Sequence, residues 1–275
     1  EYDEYLKAVR ERGVDASRQQ KEYREATEIL RDILKNQELA DRIVGTLKGM
    51  AVLWYLGGRV SSATVNLTNM VMAVPAVISG EFSDGDGKIS IRQALSHIMK
   101  AGVSYGKYRA NMAGDSQQAK VFRSIEKRGW DSPQFNQEAL GALQNKYGRA
   151  WGKLVELSMF FFGVTEKINR ATTIYAAYDA LCKKYNVGLQ DVKGDIHEKL
   201  LEQAKDASDL SHGVYDKSNR PNILRGEGFA AKVFQTTYVF KTFTHNYLQE
   251  MARLGFIKKQ YGATLYMALS GGLLA

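Results

Sequence analysis

The chain has 275 residues and carries 38 Lys and Arg against 30 Asp and Glu, a net charge of +8. At 44% hydrophobic and 25% charged it has the composition of a globular protein, which excludes wholesale disorder and a fibrous repeat. One cysteine, Cys182, excludes an internal disulfide framework and a Cys-rich zinc module. Four scattered histidines offer little for a His-based metal site, so neither a metal nor a cofactor is expected.

The chain opens at Glu1 without an initiator Met and ends inside an apolar run, 266–275, so a segment of a longer polypeptide is expected. Residues 1–49 read as a connecting or N-terminal amphipathic helix region: Tyr23, Ala26, Ile29, Leu30, Ile33 and Leu34 recur at helical spacing, with charged residues on the other side. The apolar stretch 50–78, broken at Gly57-Gly58 and ended by Pro75 and Gly80, reads as two antiparallel helices, an apolar hairpin. Arg59, Asn66 and Asn69 interrupt it, and neither arm holds the roughly 20 apolar residues that a membrane span needs.

A polar turn at 82–88 precedes a helix expected over about 89–113, and Asp115 is placed to cap a short helix ending at Gly129. Trp130 to Pro133 is a connector. A long helix is expected over about 148–185, another over 196–209, then a loop around Asn219-Arg220-Pro221 and a last helix over about 229–261. Alternating strand patterns are scarce. The fold class is therefore all-α: an irregular multi-helix bundle with long helices and an apolar helical hairpin.

Four constellations bear on chemistry. Asp84-Gly85-Asp86-Gly87-Lys88-Ile89-Ser90 resembles the middle of a calcium loop, but Phe82 and Gln93 stand where its first and twelfth ligands belong, so a turn and a helix cap are expected instead. Glu166, Asn169, Arg170 and Thr173 fall at i, i+3, i+4 and i+7 and form one polar stripe among bulky apolar residues. That stripe, with Arg220, reads as a structural polar network, since a catalytic carboxylate would need a partner acid or base at local spacing. Lys217, Arg220 and Arg225, with Gly226 and Gly228, form a candidate anion-binding loop, although no flanking strand makes it a P-loop or dinucleotide fingerprint. Phe234, Tyr238, Phe243 and Tyr247 line one face of the last helix and read as core or interface. His245 has no partner at metal-ligand spacing, and Cys182 reads as a buried thiol.

Taken in order, Ala63-Thr64-Val65-Asn66-Leu67-Thr68-Asn69 followed by Pro75, Glu166 with Asn169-Arg170, Tyr215-Asp216-Lys217-Ser218-Asn219-Arg220-Pro221, and Phe240-Lys241-Thr242-Phe243 with Asn246-Tyr247 resemble the helical large polyvalent protein-associated domain of tailed phages and prophages. The resemblance covers roughly 50–275 and rests on order and spacing. It implies a helical segment, truncated at its C-terminus, of a very long multidomain phage protein that is packaged in the virion and delivered into the bacterial host with the DNA. No catalytic residues are established for such a module, so none is carried over.

The expected function is a non-enzymatic structural or assembly module, with other domains of the same polypeptide or further copies of itself as partners and no small-molecule substrate. Two alternatives stand beside it. One is a DNA- or membrane-contacting module, motivated by the net charge of +8 and the apolar hairpin. The other is an enzyme centred on Glu166, Asn169 and Arg170.

Overall fold

The computed structural model describes residues 60–83, 88–132, 157, 159–188, 195–213 and 242–274. Among these the chain forms helices and no strand: α1 (Val60–Met72), α2 (Val74–Glu81), α3 (Ile91–Arg109), α4 (Gln117–Lys127), α5 (Phe160–Lys184), α6 (Asp195–His212), α7 (Thr242–Ala252), continued by a π-helical turn (Arg253–Ile257), and α8 (Tyr261–Leu274). The all-α multi-helix bundle read from helical periodicity is the architecture observed.

The 25-residue α5 is the central element, in contact with α1, α3, α4 and α6. Its buried face is mostly Ala, Ile, Leu and Tyr, and the four alanines Ala171, Ala176, Ala177 and Ala180 let neighbouring helices come close. Side-chain pairings give the directions. Asn66 meets Asn169 and Met70 meets Thr173, so α1 and α5 run parallel. Arg170 meets Asp209 and Tyr178 meets His197, so α6 runs antiparallel to α5. The main core includes Val77, Ile98, Phe122, Ile174, Leu181 and Leu201. Within it the Phe122 ring stacks on Tyr175 at 4.7 Å and meets Tyr105 edge-on at 5.3 Å.

Several local expectations are corrected. Pro75 does not end the apolar helix but kinks it: α1 and α2 join through Ala73, which keeps helical angles, and Pro75 sits in the first turn of α2, where its missing N–H is tolerated. Gly80 does mark the end, one residue before the last of α2 at Glu81. It also has a packing role, since an added Cβ would stand 2.5 Å from Leu254. What is described of the expected hairpin is thus one kinked helix; Gly57-Gly58 and the other arm lie outside the described residues.

α3 begins at Ile91 behind a capping box, in which Ser90 Oγ accepts from Gln93 N and Gln93 Oε1 accepts from Ser90 N. Gln93, the residue that fails as a calcium ligand, is thus occupied as a cap. Ser116, not Asp115, caps α4, its Oγ accepting from Ala119 N at 3.3 Å. Asp115 instead pairs with Arg123 at 2.7 Å, and that guanidinium holds its carboxyl below the usual range.

The last expected helix does not run straight to Tyr261. After the π turn, Lys259 takes the left-handed conformation at φ 54°, and the chain doubles back. Tyr247 meets Met267 and Gly255 meets Thr264, so α7 and α8 form an antiparallel pair. The polar Lys258-Lys259-Gln260 between apolar flanks makes the reversal. The apolar end of the chain thereby becomes α8, whose Ala263 and Met267 pack with Ala73, Ala76 and Leu254 in a second cluster. No helix among the described residues is long and apolar enough to cross a membrane.

Candidate functional site: a buried polar network on the central helix

Arg170 is only 1% exposed, the largest fully buried side chain described. A buried guanidinium must find anionic and carbonyl partners. It does: Nε donates to Glu166 Oε1 at 3.2 Å, Nη1 to Asp209 Oδ1 at 3.2 Å and Nη2 to the Gly213 carbonyl at 2.9 Å. The first contact follows from i,i+4 spacing on α5; the other two come from the end of α6. Asp209 is shared with Lys205, 2.6 Å away.

Gly213 reaches Arg170 because it caps α6 in the left-handed conformation, φ +74°, with its N–H on the Asp209 carbonyl at 2.8 Å. An added Cβ there would lie 2.4 Å from Asn246 Nδ2, so glycine is required for its backbone angle and for its small size.

One turn along α5 the network continues through His212. Asn69 Nδ2 donates to the Ser211 carbonyl at 2.8 Å and lies 3.0 Å from His212 Nδ1. Because the amide donates on that side, His212 Nδ1 is the acceptor and its proton sits on Nε2, which donates to Thr173 Oγ1 at 2.9 Å. Thr173 in turn donates to Met70 Sδ at 3.4 Å. Burial, and then the nearby Arg170 charge, push the His212 pKa down to about 3, so the ring is neutral at pH 7. Asn169 closes the other side, its Nδ2 donating to the Asn66 carbonyl at 2.7 Å.

The residues singled out separately in the sequence therefore converge. Glu166, Asn169, Arg170 and Thr173 join Asn66 and Asn69 of α1, and Gly213 brings Asn246 of α7 to the same place. Arg220, expected in the network, lies outside the described residues, as do Lys217 and Arg225 of the anion-binding loop and the aromatics Phe234 and Tyr238. Phe243 falls on the first turn of α7. Tyr247, expected at an interface, is engaged within the chain: its hydroxyl donates to the Met267 carbonyl at 2.6 Å.

Sequence reading missed His212, Asp209 and Gly213. The signal available was a glycine directly after an amphipathic helix, together with two asparagines set three apart in an apolar run. Chemically the arrangement fixes register. The described contacts of Arg170 and both His212 ring nitrogens are spent on protein groups, and neutral His212 has its proton committed to Thr173.

A second ionic cluster ties α2 to the π turn. Arg253 bonds Glu81 through Nη2 and Glu250 through Nε at 2.9 Å. Burial raises the Glu250 carboxyl pKa against the opposing pull of Arg253. Elsewhere, the Tyr178 hydroxyl lies 2.6 Å from His197 Nδ1, burial lowers the pKa of that ring, and burial pushes the Cys182 thiol up. Among the described residues no group of three His, Cys, Asp or Glu is placed to hold a metal ion. No protein family, no curated protein and no solved structure matches the chain.

Proposed function

We propose that the chain is a non-enzymatic structural module of a large phage internal protein, assembling with further copies of itself or neighbouring modules through apolar helix faces. The observation that carries this reading is the outer face of the α7–α8 hairpin. Phe256 is 85% exposed, Ile257 74% and Tyr261 71%, and Leu265 and Leu269 follow Tyr261 at i+4 and i+8, each 59% exposed. No charged residue occurs from Tyr261 to the end of the chain. Such a stripe exceeds the scattered apolar residues of an ordinary surface. The order of motifs resembling the polyvalent-protein module supports the phage assignment.

Magnitude sets the strength of pairing. Burying these five side chains contributes roughly 1–2 kcal/mol each, while association costs about 4–15 kcal/mol. The stripe alone therefore sustains only weak self-association and needs further surface for a stable assembly. Sedimentation of the 275-residue chain over rising concentration tests this: mass should climb, and the pair Leu265→Glu with Leu269→Glu should hold it at the monomer. A wild-type chain that stays strictly monomeric at high concentration overturns the reading.

One observation favours a lipid surface as a second reading: Lys259 is exposed directly beside Phe256 and Ile257, a pairing suited to anionic headgroups. Co-sedimentation with anionic but not neutral vesicles, lost in Phe256→Glu, would select it.

A further inference from the structure

A groove of about 480 Å³ opens between α3, α4 and α5, away from the Arg170 network. Its lining includes Lys100, Val103 and Ser104 of α3, Gln118 of α4, and Tyr175 and Asp179 of α5. Its volume is within the range of small-molecule sites. Tyr175 is 3% exposed, yet its hydroxyl has no hydrogen-bond partner among the described residues. The hydroxyl is not among the sealed unpartnered oxygens, so it is open to the groove. Its ring is fixed by the stack on Phe122, so the hydroxyl is held in place at the groove.

Asp179 lies one turn further along α5. His97 Nδ1 donates to its Oδ2 at 2.6 Å, which leaves Oδ1 without a protein partner among the described residues. The lining of the groove thus offers an anionic oxygen, a phenol oxygen and the Ser104 hydroxyl, all able to accept from N–H donors. Lys100 stands at the exposed rim, in no ion pair among the described residues, and Met99 and Val103 supply apolar surface, 72% and 61% exposed. Burial first, and the Asp179 charge second, raise the Tyr175 pKa, so the phenol stays neutral and can face a cation or its counter-carboxylate without ionising.

We infer that this groove binds a small amino-acid-like zwitterion, its ammonium held by Asp179 and Tyr175 and its carboxylate by Lys100, with an apolar side group against Met99 and Val103. Tyr175 and Asp179 read the ammonium, and Lys100 reads the opposite end. The inference is independent of the assembly reading, since the groove shares no residue with the α7–α8 stripe.

Titration calorimetry with L-leucine, N-acetyl-L-leucine and isopentylamine tests it on the whole chain. L-leucine should bind saturably, isopentylamine more weakly for want of its carboxylate, and N-acetyl-L-leucine should not bind. Tyr175→Phe should weaken L-leucine about tenfold, the scale of one hydrogen bond to a charged group, with an unchanged Tm because no protein bond is lost. Asp179→Asn should abolish binding. Equal binding of L-leucine and its N-acetyl form, full affinity in Tyr175→Phe, or no L-leucine binding at all overturns the inference. Should Asp179→Asn fail to fold because His97 loses its acceptor, Tyr175→Phe and the three probes still decide the matter.

Discussion

Arg170 holds three acceptors from two helices, and its burial makes each of them matter. Arg170→Ala takes the cation away from the buried Glu166 and the half-buried Asp209, and removing one partner of a buried pair costs about 3–5 kcal/mol. Denaturant unfolding of Arg170→Ala should show a loss of that size. Arg170→Lys should recover only part of it, because an ammonium cannot span Glu166, Asp209 and Gly213 in one plane. Gly213→Ala should cost at least about 1–2 kcal/mol from the left-handed backbone alone, with the approach of Asn246 adding to it.

His212 makes the residue scale visible in pH. Its folded pKa is depressed, so the unfolded state binds the proton more readily, and stability falls as pH drops from about 6.5 towards 3, by up to about 1.4 kcal/mol per unit. His197 is shifted in the same direction and adds to the loss. Glu250 has a raised pKa, so its contribution runs the other way: it is present at low pH and lost as pH rises through that pKa. Denaturant midpoints measured from about pH 7 down to about pH 4 should therefore slope downward into acid. His212→Gln should flatten the slope without removing it, and an unchanged slope would show that the ring does not titrate with unfolding.

At the scale of elements, Pro75 and α8 are coupled. Pro75 cannot donate to the Val71 carbonyl four residues before it, and that carbonyl instead accepts from the Tyr266 hydroxyl at 2.6 Å. A kink in one helix is thus satisfied by a side chain 195 positions away. Tyr266→Phe should cost about 1 kcal/mol in the wild type. In a Pro75→Ala background, which restores the helical N–H donor, the same change should cost markedly less. A double-mutant cycle on unfolding free energies measures the difference, and simple additivity would mean that the two are independent.

Gly80 works at the same scale. It gives Leu254 of the π turn room against α2, next to the Arg253 bonds to Glu81 and Glu250. The second cluster and its ionic clasp therefore join the α7–α8 hairpin to the kinked helix as one unit. Gly80→Ala should loosen that junction, and hydrogen exchange should rise in α8 before it rises in α5.

At the scale of the whole molecule, the described helices divide between an inward-looking centre and an outward-looking edge. Around α5 aromatic rings stack on one another and Arg170 and His212 are held by neighbouring protein groups. On α8 and the π turn, large apolar residues face outward. Proteins keep such faces where something covers them, which is why association is the property to measure first. Leu265→Glu combined with Leu269→Glu should lower association without lowering Tm, because both side chains are largely exposed in the single chain.

Periodicity and punctuation, which are local, already determined the all-α class, the positions of α3 and α6, the end of α5 near Tyr185, the polar stripe on α5 and the buried state of Cys182; the expected start of α5 near 148 lies outside the described residues, within which it begins at Phe160. Each depends only on which residues share a helix face, and 3.6-residue spacing exposes that directly. Tertiary structure alone decided that Pro75 kinks rather than ends a helix, that Gly80 is a close contact as well as a stop, and that Ser116 takes the cap from Asp115. It alone brought Asp209, His212 and Gly213 to Arg170, and Tyr175 to an open groove. Those outcomes depend on which distant group arrives to satisfy a carbonyl, a guanidinium or a ring nitrogen, and burial makes satisfaction obligatory without naming the partner.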